Sequence, residues 1–176
     1  MRLLILFFSI CLFMKEQTVF DFHKDCEMNR WRIVNDDVMG GISSSSISLN
    51  DEFDAVFSGA VSTENNGGFA MTQASVSVEV PSDATRVKLR VKGDGKQYQF
   101  RIKSTLSQRY WYVQSFETSN NWEEIVLDLK DFYPSFRGYR LDKDNFSSNK
   151  IEKVAILIGN KKNEDFKLTI DHIKIN

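Results

Sequence analysis

Asp36 and Asp37 are adjacent carboxylates, and hydrolysis of a glycosidic bond requires a pair of carboxyl groups. The two groups of a glycosidase face one bond and lie about 5 to 9.5 Å apart. Adjacent residues of an extended segment point to opposite faces, so this pair does not converge on a substrate. We expect Asp36 instead to accept backbone N–H bonds in the turn before Met39-Gly40-Gly41, or to bond the hydroxyls of a ligand.

The sequence has no G-x-S-x-G nucleophile elbow, no phosphate-binding loop and no H-E-x-x-H zinc helix. Gly93-Asp94-Gly95 lacks the third glycine and the helix of a dinucleotide fingerprint. His23 and His172 are the only histidines, and with Cys26 they form too sparse a set for zinc. The sequence therefore predicts a protein that is not an enzyme and needs no cofactor. A hydrolase without one of these motifs is a further alternative.

Asp21 and Asp171 are candidates for a structural calcium site because they lie near the two ends of the predicted domain. Terminal strands of antiparallel sandwiches are often neighbours, so the two carboxylates and nearby backbone carbonyls would supply oxygen ligands. The alternative, which we favour, is a pair of solvated acids beside Lys24 and Lys174. A melting temperature that does not respond to calcium or to a chelator would exclude the site.

Aromatic residues are concentrated in one segment, where Tyr110, Trp111, Tyr112 and Phe116 follow Arg109. Alternation places Trp111 on one face of a strand and the other three rings on the opposite face. Since the two faces of a sandwich strand are not equally buried, we expect some rings to be exposed. Exposed rings stack on sugars or anchor a protein partner. A fully covered central strand is the alternative.

A second aromatic group surrounds Phe136 in a predicted loop, where packing demands are weaker and functional residues are more common. Arg137 and Gly138 follow this ring directly. The two groups together predict an exposed binding surface. The residues assigned to it are Asp36, Met39, Trp111, Tyr112, Phe136 and Arg137.

The segments that must position these residues alternate apolar and polar positions from about Val19 onward, which is typical of half-buried strands. The clearest run is Arg86 to Lys92, with one apolar and one entirely cationic face. Gly93-Asp94-Gly95 follows it and predicts a tight hairpin. No segment keeps an apolar helical repeat. The pattern predicts a single antiparallel β-sandwich domain over residues 19–176.

The last predicted strand, residues 166–175, changes phase near its middle. Its apolar residues up to Ile170 share one parity, and those from Ile173 onward take the other. A one-residue bulge would keep both sets facing the core, so we expect Asp171 to lie at a bulge.

The length and charge of the chain limit the class of protein, and its first residues indicate the cellular compartment. A chain of 176 residues with 41% hydrophobic and 27% charged residues is globular, and its formal net charge of −1 offers no basic field for nucleic acid.

Residues 1–16 combine Arg2 with an apolar run from Leu3 to Phe13. This hydrophobic leader is typical of an export signal or of a membrane-contacting anchor. We therefore expect an exported protein that is periplasmic, secreted or anchored by the leader.

Several short motifs occur in a fixed order from about Phe20 to Asn176. Trp31 precedes the longest, Val34 to Ser43. The others are Asn66-Gly67-Gly68-Phe69-Ala70, Gly93-Asp94-Gly95, Tyr98-Gln99-Phe100-Arg101, Phe116, Trp122, Phe132, Arg137-Gly138 and Leu168-Thr169-Ile170-Asp171-His172-Ile173. In order and spacing they resemble the complex I intermediate-associated protein 30 family.

The resemblance implies a galactose-binding-like jelly roll, related in shape to carbohydrate-binding modules. It also implies a non-catalytic assembly factor of respiratory complex I, and hence a mitochondrial location as the alternative to export. Many motif residues are expected to keep the fold, the glycines through positive φ or close backbone approach. These residues are Trp31, Asn35, Gly40, Gly41, Gly67, Gly68, Phe69, Gly93, Gly95 and Gly138.

We therefore predict a binding domain that acts as a chaperone-like or scaffold protein for the protein subunits of a larger complex, with no nucleic acid partner. The alternative is a carbohydrate-binding module-like protein of the cell envelope. In that alternative, exposed rings stack on sugars while Asp36 or Arg137 bonds their hydroxyls.

Overall fold

The alternating runs of the sequence fold as β-strands. The structure, a computed structural model, describes residues 16–176 apart from the side chains of residues 38 and 39. The predicted leader therefore lies outside the described residues, except for Glu16. The run Arg86–Lys92 forms a strand with these bounds, and its three apolar residues are buried while its four cations lie on the opposite face.

Thirteen strands occur within the described residues, joined by turns and by short 3-10 helices. In chain order they are β1 (Gln17–Asp21), β2 (Trp31–Asn35), β3 (Ser44–Leu49), β4 (Ala55–Val61), β5 (Ala70–Glu79), β6 (Arg86–Lys92), β7 (Gln97–Lys103), β8 (Trp111–Glu117), β9 (Trp122–Asp128), β10 (Tyr133–Phe136), β11 (Tyr139–Arg140), β12 (Lys150–Ile158) and β13 (Glu164–Ile175). No helix in residues 16–176 is long and apolar enough to cross a membrane.

The first sheet has six antiparallel strands, in the order β3-β4-β13-β6-β9 with β1 also paired to β13. Strand β13 pairs with β4 through residues 164–170 and with β1 through residues 172–175, along the same edge. The first and last strands are therefore neighbours, as the sequence predicts.

The second sheet has seven antiparallel strands, in the order β11-β10-β8-β7-β12-β5-β2. The inward side chains of both sheets form one apolar core. Its largest fully buried members include Tyr98, Phe57, Phe100, Phe132 and Leu89. Burial of each such side chain stabilises the fold by about 1.5–3 kcal/mol. The predicted all-β antiparallel sandwich is confirmed.

Asp171 lies at a β-bulge in β13, as predicted from the change of phase. The register of β13 against β6 shifts between Ile170 and His172. Because one extra residue is inserted there, Ile170 and Ile173 both lie fully buried in the core despite their opposite parity.

The turn between β6 and β7 is held by Asp94. Its carboxylate accepts hydrogen bonds from the Tyr98 hydroxyl (3.0 Å), the Lys96 ammonium (2.8 Å) and the Lys167 backbone N–H (2.9 Å). Lys167 belongs to β13, which pairs with β6 in the first sheet. The predicted hairpin is wrong, because β6 lies in the first sheet and β7 in the second, and the two strands do not pair. The turn instead ties the two sheets together, since Tyr98 belongs to β7.

Candidate functional site

Asp36 is the most tightly bonded of the predicted site residues, and it is only 3% exposed. It begins the 3-10 helix Asp36–Met39, which follows β2. Its carboxylate accepts hydrogen bonds from the backbone N–H groups of Ser43 (3.1 Å), Gly68 (2.6 Å) and Phe69 (3.2 Å), and from the Ser43 hydroxyl. The donors lie up to 33 residues away. The carboxylate therefore joins two distant segments, whereas we expected it to close a local turn.

These hydrogen bonds also set the ionisation of Asp36. Burial by itself raises the pKa of the carboxyl group, but the bonds from Ser43, Gly68 and Phe69 together outweigh burial and hold the pKa below its ordinary value. The carboxylate is thus a charged group inside the fold, with its bonding capacity used by the protein itself. This position conflicts with the predicted contact between Asp36 and sugar hydroxyls.

Two motif glycines lie against this carboxylate. A Cβ atom on Gly41 would lie 2.3 Å from Oδ1 of Asp36, and one on Gly67 would lie 2.6 Å from Oδ2. Real Cβ atoms do not approach oxygen so closely, so only glycine lets both segments close around the charge. We call this group of Asp36, Gly41, Ser43, Gly67 and Gly68 the Asp36 junction.

Trp31 and Asn35, at the two ends of β2, connect the sheets. The Trp31 ring is 5% exposed and packs edge-on against Phe20, with ring centroids 5.4 Å apart. The Asn35 side-chain oxygen accepts a hydrogen bond from the Ser45 hydroxyl at 2.7 Å. Because Phe20 and Ser45 belong to the first sheet and β2 to the second, both contacts hold the two layers together.

Trp111 lies on the face of the second sheet that points away from the core, which we call the outer face. Its half-buried ring packs with a small apolar cluster that includes Met71, Ala155 and Leu157. The Lys103 ammonium lies 4.6 Å from the ring centroid, within range of a cation–π interaction. The ring is therefore neither fully covered nor free, because a cation already occupies part of its surroundings.

Tyr112 lies on the opposite side of the same strand and packs towards the core. Its ring meets Phe146 at a centroid distance of 5.3 Å, and its hydroxyl lies 3.3 Å from that of Tyr110. Burial, and then the neighbouring Tyr110, raise the pKa of Tyr112 to about 12. The phenol is therefore neutral throughout the physiological range and is positioned as a packing group.

The segment around Phe136 is a short hairpin of β10 and β11, and not the loop that we predicted. Arg137 and Gly138 form its two-residue turn, with φ of 50° and 84°. Left-handed backbone at both central positions is typical of type I′ hairpin turns. The β10–β11 hairpin was not predicted from the sequence because β10 has only four residues and includes Pro134, which donates no backbone hydrogen bond.

The hairpin exposes aromatic rings next to guanidinium groups. Phe136 is 36% exposed and Tyr139, its cross-strand neighbour, is 78% exposed. The guanidinium carbons of Arg109 and Arg137 lie 6.0 Å and 5.5 Å from the Phe136 ring centroid. We call Phe136, Arg137, Gly138 and Tyr139 the hairpin tip.

The predicted binding residues do not form one surface. Trp111 and Tyr112 point to opposite faces because they are consecutive residues of a strand. Phe136 and Arg137 lie together at the hairpin tip. The side chain of Met39 lies outside the described part of the structure.

Asp21 and Asp171 are brought onto paired strands, but Asp171 already has protein partners. Its carboxylate lies 2.9 Å from Nε of Arg90 and 3.3 Å from Nδ1 of His172. Across residues 16–176 no group of three or more His, Cys, Asp and Glu side chains is arranged to hold a metal ion. Calcium at the predicted site would have to compete with Arg90 for Asp171.

A model of the family described as Complex I intermediate-associated protein 30 matches residues 20–170. The chain belongs to this family. The resemblance seen in the sequence is therefore confirmed. A relative from Caenorhabditis briggsae, named "Probable complex I intermediate-associated protein 30, mitochondrial", is 27% identical over 177 aligned residues. The alignment covers 85% of this chain and 51% of the relative, so the chain spans about half the length of that curated protein.

Solved structures of carbohydrate-active proteins share the fold of this family member. The family 11 carbohydrate-binding module of Clostridium thermocellum has a TM-score of 0.66 and 19% identity, covering 91% of this chain and 94% of the module. An agarase, AgWH50C, has a TM-score of 0.61 and 12% identity, covering 92% of this chain and 24% of the enzyme. At such identities the likeness concerns the fold alone. It confirms the galactose-binding-like jelly roll that the family resemblance implies.

Sequence reasoning missed two residues of the surfaces described above. Tyr139 forms the most exposed ring of the hairpin tip, and Lys103 contacts Trp111 on the outer face. Alternation through Gln97–Lys103 already placed Lys103 on the side opposite the buried rings. For Tyr139 the signal was its position just after Arg137-Gly138, the two-residue turn of a hairpin.

Proposed function

We propose that this chain is a non-catalytic protein-binding factor that holds subunits of a larger assembly, as a chaperone-like or scaffold protein. Support comes from its family and from the name of the worm relative, which associates that protein with an intermediate of complex I. The same name favours the mitochondrial location over export. The engagement of Asp36 in internal hydrogen bonds supports the non-catalytic part of the proposal.

The hairpin tip is the observation that carries this proposal. Phe136 and Tyr139 are exposed rings, and Arg137 stands beside them on a two-residue turn. Tyr and Arg are enriched among the residues that dominate protein–protein affinity. A tight turn holds these side chains in place before binding, which reduces the entropy lost when the complex forms.

We expect the double variant Arg137→Asn/Tyr139→Ala to lose at least about tenfold in retention of complex I subunits, since the loss of even one anchor of about 2 kcal/mol exceeds the roughly 1.4 kcal/mol of a tenfold change. Asparagine at position 137 tolerates the left-handed backbone, so the turn is kept. The measurement is affinity capture of subunits from detergent-solubilised mitochondrial membranes, using the tagged full chain. Thermal unfolding should stay within about 2 °C of the wild type.

Leu106→Ala is the matched control, because Leu106 is a 56% exposed apolar side chain outside the hairpin. It should retain subunits at the wild-type level. Equal retention by the double variant would exclude the hairpin tip as the contact. Failure of the wild-type chain to retain any subunit would reject the assembly function as a whole.

Carbohydrate binding remains the second candidate, and the half-buried Trp111 ring on the outer face favours it. Rings on such a face stack on sugars. The cation of Lys103 beside that ring weighs against a neutral sugar, because it takes up part of the stacking surface. Binding of the wild-type chain to a glycan array, lost in Trp111→Ala, would support this candidate over the first.

A further inference from the structure

The outer face of the second sheet carries five cations in two adjacent rows of side chains. They are Arg32, Arg101, Lys103, Lys153 and Arg140. Strand register places only uncharged residues between them, such as Gln73, Ala155, Val113 and Ser135. No Asp or Glu occupies a position in these two rows, and no ion pair joins the five cations to any described carboxylate nearby. The face is therefore positive although the whole chain has a formal net charge of −1.

On the first sheet, in contrast, most cations of β6 are paired with carboxylates. On the outer face of β6, three of the four cations lie within ion-pair distance of carboxylates. The pairs are Arg86 with Asp128 (3.2 Å), Lys88 with Glu16 (3.0 Å) and Arg90 with Asp171 (2.9 Å). Carboxylates thus pair with most of the cations on the outer face of β6, whereas the five cations on the outer face of the second sheet are left unbalanced.

Arg101 lies at the centre of the unbalanced face, and its only hydrogen-bond partner among the described residues is a neutral one. Its Nε and Nη2 atoms donate to the side-chain oxygen of Gln99 at 3.1 Å and 2.6 Å. Burial lowers the pKa of the half-buried Arg101 to about 10. A guanidinium group is still charged at neutral pH and has five donors, so a carboxylate would complete its bonding.

Lys103 and Lys153 oppose one another directly on β7 and β12. Like charges at opposed positions of a sheet destabilise it. Burial, and then the charge of Lys153, lower the pKa of Lys103. An anion lying across these two strands would relieve this repulsion and would be held by both ammonium groups.

An apolar row borders the cations on the same face. It contains Val34, Met71 and Leu157, which are opposed to one another across β2, β5 and β12. Met71 and Leu157 are only 7% and 6% exposed, so the accessible apolar surface beside the cations is that of the half-buried Val34 and Trp111. A protein segment that alternates acidic and apolar residues would contact both the cations and these two side chains.

We infer that the outer face of the second sheet binds an acidic segment of a partner protein, with carboxylates on Arg101, Lys103 and Lys153 and apolar side chains on Val34 and Trp111. This inference rests on the proposed function and specifies the chemistry of the partner. Opposite charge across such a contact speeds association and selects the partner.

The test uses the full chain and a fluorescein-labelled peptide of alternating glutamate and leucine, with a glutamine-and-leucine peptide, polygalacturonate and single-stranded RNA as competitors. We expect the acidic peptide to bind, and its affinity to fall as salt is raised from low to physiological concentration. The Lys153→Glu variant should lose about tenfold or more in affinity. Lys167→Glu, an exposed lysine on the outer face of the first sheet, is the matched control and should bind as the wild type does.

Lys153→Glu separates a binding role from a structural one. It places a carboxylate opposite Lys103, so thermal stability should rise by about 2 °C or more while peptide affinity falls. A variant that loses both stability and affinity would overturn the inference. So would stronger binding of the glutamine peptide, of polygalacturonate or of RNA than of the acidic peptide.

Subunit capture separates this inference from the proposed function. Capture by the wild type that is reduced in Lys153→Glu supports both. Capture that is unaffected in Lys153→Glu overturns the acidic-segment inference and leaves the assembly function standing. If the wild type captures no subunit, the assembly function is rejected, even if the wild type binds the acidic peptide. The peptide titration then still shows whether the outer face of the second sheet prefers an acidic to a neutral peptide.

Discussion

Asp36→Ala should lower the free energy of unfolding by about 3 kcal/mol or more, and the melting temperature by about 10 °C. The variant removes a buried anion and leaves the N–H groups of Ser43, Gly68 and Phe69 without their acceptor. A buried donor without a partner costs its full desolvation, which makes this loss larger than that of an exposed hydrogen bond. Urea titration followed by tryptophan fluorescence measures the effect.

The pH dependence identifies the charge as the cause. Because the pKa of Asp36 is lower in the folded state than its ordinary value of 3.8, the carboxylate contributes stability that is complete above that value. The contribution is lost as the pH falls further, through the pKa of the folded state. The difference in unfolding free energy between wild type and Asp36→Asn should therefore be constant near neutral pH and shrink below about pH 4.

Ser43→Ala is a graded control for this prediction. It removes one hydroxyl donor from Asp36 and keeps the three backbone donors, so it should cost only about 1 kcal/mol. An Asp36→Ala variant as stable as Ser43→Ala would contradict the view that the carboxylate joins the two segments. A difference between wild type and Asp36→Asn that grows below pH 4 would contradict the lowered pKa.

Gly41→Ala should be comparably disruptive, at about 3 kcal/mol, although it adds only one methyl group. The new Cβ atom would lie 2.3 Å from Oδ1 and 2.4 Å from Cγ of Asp36, so the carboxylate or the backbone must move. The cost should depend on Asp36 itself. In the Asp36→Ala background those two atoms are absent and only the Cβ contact at 2.9 Å remains, so the same substitution should cost about 1 kcal/mol.

A double-mutant cycle of the two positions measures this coupling, which we expect to be about 2 kcal/mol. Gly138→Ala is a control of another kind, because its φ is 84° and no atom lies within 4 Å of an added Cβ. That substitution strains only the local backbone and should not couple to Asp36. Strict additivity of Gly41→Ala and Asp36→Ala would show that close approach to the carboxylate is not what requires glycine.

Local patterns determined the layers of this protein. Strict alternation in Arg86–Lys92 specified both the bounds of β6 and the buried face, since a strand displays successive side chains on opposite sides. The change of phase near Asp171 likewise specified the bulge, because only an extra residue keeps Ile170 and Ile173 on one face. Family motifs added the jelly-roll topology, which alternation alone does not specify.

Tertiary structure decided which of the conspicuous residues are free to bind. Asp36 looked available in the sequence, yet a segment more than thirty residues later in the chain supplies two of its donors. Trp111 and Tyr112 looked like one aromatic group and lie on opposite faces of a strand. The unbalanced cations of β7 and β12 come from distant parts of the chain and meet only through strand pairing. Sequence periodicity reports which way each side chain points, but not which strands become neighbours, and charge balance depends on neighbours.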